Sequence, residues 1–119
     1  MQRETHFDQD SRAAGLAAGV AAYAMSVPQE EVLAARRGDW RVCLARQVAM
    51  YLAHVTFGMS LSRVAFAFGR DRSTVSHAVQ RMEGRRDDAD VDAWFESLEA
   101  MLTSAPPPSA PPQALGAAR

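Results

Sequence analysis

The residues with the most chemistry to offer form a run near the middle of the chain, and they are suited to recognising polar surfaces. Seven side chains between positions 72 and 81 can hydrogen-bond and none is acidic: Arg72, Ser73, Thr74, Ser76, His77, Gln80 and Arg81. Long Arg and short hydroxyl side chains at the start of a helix suit base edges and phosphates in the major groove of duplex DNA. Taken alone, such a polar face more often meets only solvent.

Two short helices joined by a tight turn, between Ser60 and Arg86, would position these residues. The apolar side chains of each helix share one face at helical spacing: Leu61, Val64, Ala65 and Phe68 in the first, Val75, Val79 and Met82 in the second. Ser60 can cap the first helix, and Gly69 follows it where a chain leaving a helix often needs a positive φ. The second helix starts near Asp71 and ends at Gly84. This pattern predicts a helix-turn-helix whose second helix is the recognition helix.

The charges of the chain are strongly segregated, although the net charge is only −1. Residues 36–86 contain ten Arg and three acidic residues, which gives a net charge of +7. Residues 1–35 contain two Arg and five acidic residues, and residues 87–119 contain one Arg and six acidic residues. The outer segments therefore carry −3 and −5. A basic middle segment of this kind favours a nucleic-acid partner.

A second basic feature precedes the longest apolar segment. Arg36, Arg37 and Arg41 surround Gly38 and Trp40, and we interpret them as a basic loop with one aromatic residue. Such a loop can reach a minor groove or a phosphate. A solvated run of charges fits the same residues equally well.

The length and patterning predict one small all-α domain, a helical bundle that contains the helix-turn-helix. The further predicted helices are 12–25, a short one opening at Pro28, 42–56, and 91–102 capped by Asp90. The first of them is expected to bury Leu16, Val20 and Tyr23. The domain is predicted to span residues 13–102, between a flexible N-terminus (1–12) and a disordered Pro/Ala-rich tail (103–119).

Other classes of site find little support in the residues. The single cysteine, Cys43, permits no internal disulfide and fits a reducing cytoplasm. His6, His54 and His77 are too scattered to suggest a metal site, and no nucleophile with a base or carboxylate pair emerges. No stretch is long and apolar enough to span a membrane. We therefore expect no enzymatic activity, no metal, no cofactor and no membrane.

Two segments resemble the C-terminal DNA-binding domain (domain IV) of the bacterial replication initiator DnaA. They are ARQVAMYLA and FGRDRSTVSHAV. The family carries an Ala-Arg-x-Gln-x-Ala-Met pattern and then Gly-Arg-Asp-His-Thr-Thr-Val-x-His-Ala. The resemblance covers roughly Val20 to Leu102. It implies a helical domain of the Trp repressor and DnaA domain IV type that binds a short duplex site, the DnaA box.

The resemblance also implies roles for individual residues. Those that fall where the family reads base edges are Asp71, Arg72 and Ser73, although Asp71 can also serve as a helix cap. Those that fall where the family holds phosphates are Arg46, Gln47, Arg70, Thr74, His77 and Arg81. The basic loop, with Arg36, Arg37 and Arg41, corresponds to the part of the family that enters the minor groove.

Several positions depart from the family pattern. Arg72 and Ser73 replace His and Thr, and because Arg prefers guanine the preferred sequence is expected to differ. A single Gly69 replaces Gly-Gly. Gly38 falls where the family has its minor-groove Arg, so Arg37 or Arg41 would have to take over. His54 replaces a phosphate-binding Lys, and Ser62-Arg63 replace Pro-Glu.

The resemblance leads to two hypotheses about function. The chain has no Gly-rich phosphate loop ending in Lys-Ser or Lys-Thr, so we expect a free-standing DNA-binding piece without an ATPase domain. In the first hypothesis it binds specific duplex sites in the cytoplasm, associated with the nucleoid, and regulates replication initiation or transcription, with a monomer on the DNA favoured. In the second it binds a replication or transcription protein. The second hypothesis is motivated by Trp40 and by Phe66, which does not belong to the apolar face of its helix. Alternatively, the shortened turn rotates Phe66 into the core.

Overall fold

The computed structural model describes residues 6–104 and 112–117, and helices dominate this part of the chain. The helices are α1 (His6–Met25), α2 (Gln29–Leu33), α3 (Trp40–Phe57), α4 (Leu61–Phe68), α5 (Arg72–Arg85), α6 (Ala89–Ser104) and α7 (Gln113–Ala117). No strand occurs within the described ranges, which confirms the predicted all-α class. Of the helices described, none has the length and apolar character needed to cross a membrane.

Helix α3 forms the centre of the fold because nearly every side of it is buried. At the start of α3, the Asp39 carboxylate accepts a hydrogen bond from the Val42 backbone N–H (3.0 Å). At its end, Gly58 adopts a φ of 67°. Helices α1, α2, α4, α5 and α6 all pack against it. Met50 and Tyr51, together with Met59 beyond the helix, are buried. A helix that is apolar on most sides is expected to occupy the middle of a bundle.

Helix α1 buries a stripe of alanines and not the larger residues that its sequence suggested. Every member of the stripe is buried: Ala13, Ala14, Ala17, Ala18, Ala21 and Ala22. The prediction that Leu16, Val20 and Tyr23 form the buried face was wrong, since Tyr23 is 80% exposed and the other two are only partly buried. The reason is steric: small side chains let the backbone of α1 come close to α3, and the larger ones flank that contact.

The N-terminal turns of α1 are anchored on α4. Helix α1 begins at His6, whereas the sequence pattern predicted that it would begin near Arg12. The Arg63 guanidinium donates two hydrogen bonds to the buried Asp10 carboxylate (Nε to Oδ2 2.9 Å, Nη2 to Oδ1 2.6 Å), and Phe7 meets Phe66 edge to face. The positive charge at position 63, a departure from the family, thus pairs with an acid of this chain. Residues 1–5 lie outside the described residues.

Helices α4 and α5 form the predicted helix-turn-helix. The Ser60 hydroxyl accepts a hydrogen bond from the Arg63 backbone N–H (3.2 Å), and Gly69 adopts φ 63° after the last residue of α4. Helix α5 runs one residue beyond the predicted Gly84. Its buried residues are Val75, Ala78 and Met82, while Val79 is only partly buried. The opposite face of α5 is left to solvent.

The end of α5 is fastened to α6 and α3 by Arg86. Its guanidinium donates to Asp92 (2.6 Å), to Glu99 (2.6 Å) and to the Tyr51 hydroxyl (3.0 Å), and it stacks over the Phe95 ring at 5.3 Å. The hydrogen bond to Glu99 raises the pKa of Arg86 above its ordinary value.

Helix α6 starts and ends at slightly different residues from those predicted. Asp88, and not Asp90, caps it, because the Asp88 carboxylate accepts from the backbone N–H groups of Asp90 (2.9 Å) and Val91 (3.2 Å). The helix continues to Ser104, and α7 lies within the predicted tail. Residues 105–111 and 118–119 of that tail lie outside the described residues.

Candidate nucleic-acid interface

The residues predicted to read bases lie together at the exposed start of α5. Asp71 occupies the N-cap position, and Arg72, Ser73 and Thr74 form the first turn, all of them exposed. The Asp71 side chain makes no capping hydrogen bond, so its carboxylate is not used as the cap that the sequence also allowed. A free carboxylate can accept from a cytosine amino group, and a guanidinium can donate to guanine.

A polar cleft brings together four of the six residues predicted to hold phosphates. The cleft has a volume of about 210 Å³ and is lined by Gln47, Thr74, His77, Ala78 and Arg81. It lies where α5 crosses α3. The Gln47 Oε1 atom is buried there and has no hydrogen-bond partner among the described residues. Rotating the amide would turn its NH₂ group into this position, and an amide N–H suits a phosphate oxygen.

Arg46 lies away from this cleft, inside the fold. It is 5% exposed, and its guanidinium donates to the carbonyl oxygens of Val32 (Nε, 2.9 Å), Arg37 (Nη1, 2.9 Å), Glu31 (Nη2, 2.8 Å) and Arg36 (Nη2, 3.1 Å). Burial lowers the pKa of Arg46, and the nearby charge of Arg70 lowers it further, yet a guanidinium stays charged in proteins. Arg46 therefore holds the end of α2 and the loop after it.

Arg70 makes a similar set of internal contacts from the turn between α4 and α5. It is half-buried, and it donates to Phe68 O (3.1 Å), to Ala34 O (3.0 Å) and, at 3.5 Å, to Arg36 O. The turn of the helix-turn-helix is thereby tied to the loop after α2. Neither Arg46 nor Arg70 lines the polar cleft.

In the structure the basic loop is residues 34–39, between α2 and α3, and Arg41 of the predicted basic set belongs to α3. Arg36 and Arg37 are exposed. Arg41, in the first turn of α3, donates to Met25 O at 2.8 Å and so closes the end of α1. Gly38 has φ 80°, and a Cβ atom built there would lie 2.8 Å from Val42 Cγ1. An Arg at position 38 would adopt a strained φ and would displace the Val42 side chain. The exposed basic side chains of the loop itself are Arg36 and Arg37.

The two aromatic residues predicted to face a protein partner are both exposed. Phe66 is 73% exposed and Trp40 is 72% exposed. The alternative in which the shortened turn rotates Phe66 into the core is wrong. Phe7, whose ring lies 5.7 Å from that of Phe66, was not found from the sequence. Its only signal was an apolar residue in a polar N-terminal segment.

The inward orientation of Arg46 was also not found from the sequence. The available signal was its setting: Arg46 follows Ala45 and precedes Val48 and Ala49 in a helix expected to form the core. An Arg among such neighbours is buried only when its donors are satisfied. Here backbone carbonyl oxygens satisfy them.

Comparisons with known proteins agree with this geometry. Residues 18–82, more than half of the chain, match the family described as the bacterial dnaA protein helix-turn-helix. The chromosomal replication initiator protein DnaA of Rhodopseudomonas palustris (strain BisA53) is 40% identical over 85 residues, covering 70% of this chain and 18% of that protein. The DnaA protein of Pseudothermotoga lettingae is 47% identical over 57 residues, covering 48% of this chain and 13% of that protein.

A solved structure has the same fold. The crystal structure of a DNA replication initiation factor superposes with a TM-score of 0.69 and 28% identity, over 78% of this chain and 29% of that one. This chain thus spans less than a fifth of the two curated relatives and under a third of the solved chain. The matched residues contain α3, α4 and most of α5, which carry the residues predicted to read bases and the polar cleft. The chain belongs to the bacterial DnaA helix-turn-helix family and contains a DNA-binding domain of that type.

Proposed function

We propose that this protein binds duplex DNA at sites resembling the DnaA box and thereby regulates replication initiation or transcription, in the cytoplasm and in association with the nucleoid. The observation that carries the proposal is the arrangement along α5. Arg72 and Ser73 are exposed at its start, and Thr74, His77 and Arg81 follow along the wall of the polar cleft. A helix of this kind can read base edges with its first turn while its flank grips a phosphate.

The electrostatics of the chain support the same function. The segment 36–86, which contains the whole helix-turn-helix and the basic loop, carries +7. The positive end of the α5 macrodipole adds to the attraction for phosphate. The names of the relatives link the family to chromosomal replication initiation. The regulatory role and the preference for a box-like sequence are parts of the proposal.

The direct test is selection of bound duplexes from a random pool, followed by titration of the selected and a scrambled duplex between 50 and 200 mM salt, roughly the range over which phosphate-driven binding changes steeply. We expect one short asymmetric sequence to be enriched. Equal affinity for both duplexes at every salt concentration would show that the protein does not bind a specific sequence. Absence of any salt-dependent binding would remove the DNA-binding function itself.

The polar cleft gives a prediction about phosphate contacts. His77→Ala and Arg81→Ala should weaken binding to all duplexes alike, and Arg81→Ala should reduce the slope of log K against log salt by about 0.9, the value for one lost phosphate contact. Gln80→Ala is the matched control, because Gln80 is exposed on α5 but does not line the cleft. Titrations of the three variants at several salt concentrations measure both quantities. A change in the preferred sequence for either cleft variant would contradict the phosphate assignment.

A second function is favoured by the exposed aromatic pair. Phe66 and Phe7 meet edge to face on the outside of α4 and α1, where with Leu33 they line a shallow cavity of about 350 Å³. Exposed aromatic side chains are enriched at protein interfaces. In this alternative the partner is a replication or transcription protein, and Trp40 could enlarge the surface. Phe66→Ser separates the two functions: regulation lost with duplex affinity unchanged supports the partner, and unchanged regulation excludes this surface.

A further inference from the structure

The backbone of the basic loop is held from inside by two guanidinium groups. Arg46 donates to the carbonyl oxygens of Arg36 and Arg37 and, just before the loop, to those of Glu31 and Val32, all between 2.8 and 3.1 Å. Arg70 donates to Ala34 O (3.0 Å) and to Arg36 O (3.5 Å). Arg36 O thus accepts from both. A loop of this length has no helix or strand to order it, and these bonds take that role.

This arrangement couples the loop to the recognition helix. Arg70 directly precedes Asp71, the N-cap residue of α5, so one Arg side chain spans the distance between the loop backbone and the start of that helix. The carbonyl groups of Arg36 and Arg37 bond inward, while the two side chains are exposed. Two exposed basic side chains thereby project from a loop whose backbone Arg70 ties to the residue before α5.

The geometry disagrees with a direct phosphate contact for Arg46. Its four hydrogen bonds to backbone carbonyl oxygens leave only one N–H of the five that a guanidinium carries. The side chain is 5% exposed, so a phosphate could reach it only after the loop had opened. Opening the loop would leave several carbonyl groups without partners, which is unfavourable in a buried setting.

We propose that Arg46 and Arg70 are positioning residues: they fix the basic loop so that Arg36 and Arg37 enter the minor groove beside the base pairs read by α5. This inference rests on the proposed DNA-binding function. It assigns the minor-groove contact to the two exposed arginines of the loop and makes the two inward arginines their support. A minor groove attracts Arg through its negative potential, and the width and edges of the groove distinguish A·T from G·C pairs.

Substituting Lys for Arg46 or Arg70 distinguishes a role in holding the loop from a role in binding phosphate. Lys keeps the charge and binds phosphate as a point charge, but it cannot bridge several carbonyl groups with a planar fork. Arg46→Lys and Arg70→Lys should weaken binding to the selected duplex about tenfold, within the range of one lost base contact. Arg63→Lys is the matched control, because the Arg63 guanidinium also holds an internal partner with two hydrogen bonds, but that partner is Asp10 of α1 and not the loop. It should retain duplex affinity to within about twofold. If all three variants bind as the wild type does, Arg46 and Arg70 do not position the loop.

Base analogues measure minor-groove recognition directly, in a way that general destabilisation of the protein would not affect. Each base pair of the selected duplex is tested as G·C and as inosine·C, which has the same major-groove acceptors as G·C but lacks the minor-groove amino group. We expect wild type to show one or more positions where G·C weakens binding and inosine·C restores it. Arg46→Lys and Arg70→Lys should lose this difference and keep the preference set by α5. If wild type has no such position, the inference fails while sequence-specific binding stands.

A double-mutant cycle completes the test. In a background of Arg36→Ala and Arg37→Ala, adding Arg70→Lys should cause no further loss of affinity, because the supported side chains are already absent. Additive losses would overturn the positioning role. Circular dichroism and thermal unfolding check each variant, and if buried Arg46→Lys does not fold, the half-buried Arg70→Lys decides alone. A wild type that binds no duplex overturns the proposed function itself, and with it the inference.

Discussion

Arg72 is the residue on which the expected DNA sequence preference depends most. It is the first residue of α5 and is exposed beside Ser73. From this position a guanidinium can donate two hydrogen bonds to guanine O6 and N7, a contact worth about 1–3 kcal/mol of discrimination. Arg72→Ala should therefore lower affinity for the selected duplex by that amount and change binding to scrambled duplex much less. Titration of both duplexes measures the difference.

Restoring the family residue gives the complementary experiment. Arg72→His should move the preferred sequence toward that of the ordinary DnaA box, because it returns the side chain that the family presents at this position. Repeating the selection with this variant shows whether the change is confined to the base pairs that Arg72 faces. Equal losses on selected and scrambled duplexes would instead make Arg72 a phosphate contact.

Gly38 is a residue whose identity the fold requires for two reasons. Its φ of 80° disfavours any L side chain, and a Cβ atom there would lie 2.8 Å from Val42 Cγ1. Gly58 has a similar φ of 67°, but nothing lies within 4 Å of the corresponding Cβ position. It is therefore a matched control for the cost of the positive φ alone. Gly58→Ala should cost about 1–2 kcal/mol of unfolding free energy, and Gly38→Ala more. Urea unfolding compares them, and equal costs would mean that Val42 moves aside freely.

Among the elements, the end of α5 is joined to α6 by the hydrogen bonds of Arg86, the residue that follows the helix. Arg86→Met should remove the bonds to Asp92, Glu99 and Tyr51 and destabilise the fold by about 2 kcal/mol, typical of lost hydrogen bonds to charged groups. The neighbouring Arg85 is exposed, and Arg85→Met should stay within about 0.5 kcal/mol of wild type. Chemical unfolding of the two variants is the measurement. Equal effects would show that the Arg86 network adds nothing to stability.

Helix α1 shows how an element can be recognised from its sequence while its buried face is assigned wrongly. The Ala-rich run favours a helix, and a helix is found. Hydrophobicity alone ranks Leu16, Val20 and Tyr23 above alanine, yet the alanines are buried. Which face is buried depends on how close α3 lies, and the closest approach selects the smallest side chains.

At the scale of the whole molecule, the last buried side chain of the described bundle is Leu102, which is 1% exposed. A chain shortened to end at Ser104 should therefore keep its unfolding free energy, since Gln113, Ala114 and Leu115 of α7 are exposed. A chain ending at Ala100 loses Leu102 and should be destabilised by about 2 kcal/mol or more. Thermal unfolding of both distinguishes them. Loss of stability in the longer of the two would show that the predicted tail contributes to the fold.

The sequence by itself was sufficient for the helix-turn-helix because its signals are local. Ser60 caps the backbone N–H of Arg63, Gly69 supplies a positive φ, and the apolar stripe of α4 repeats at helical spacing. The polar residues of α5 follow from the same pattern, since a helix that buries one face must expose the other. The residue pattern therefore sufficed to assign the base-reading and cleft residues of α5 to one surface, although their contacts with DNA remain predictions.

Only the tertiary structure decided what the other arginines do. Arg46 bonds to carbonyl groups 9 to 15 residues away, and Arg70 reaches across 34 and 36 residues. A guanidinium in a sequence specifies that an oxygen acceptor will be found, but a phosphate oxygen and a backbone carbonyl oxygen satisfy it equally well. Folding brings the loop carbonyls to Arg46 and Arg70 and leaves Arg36 and Arg37 at the surface. The choice between the two acceptors is made by the path of the chain, which local sequence patterns do not encode.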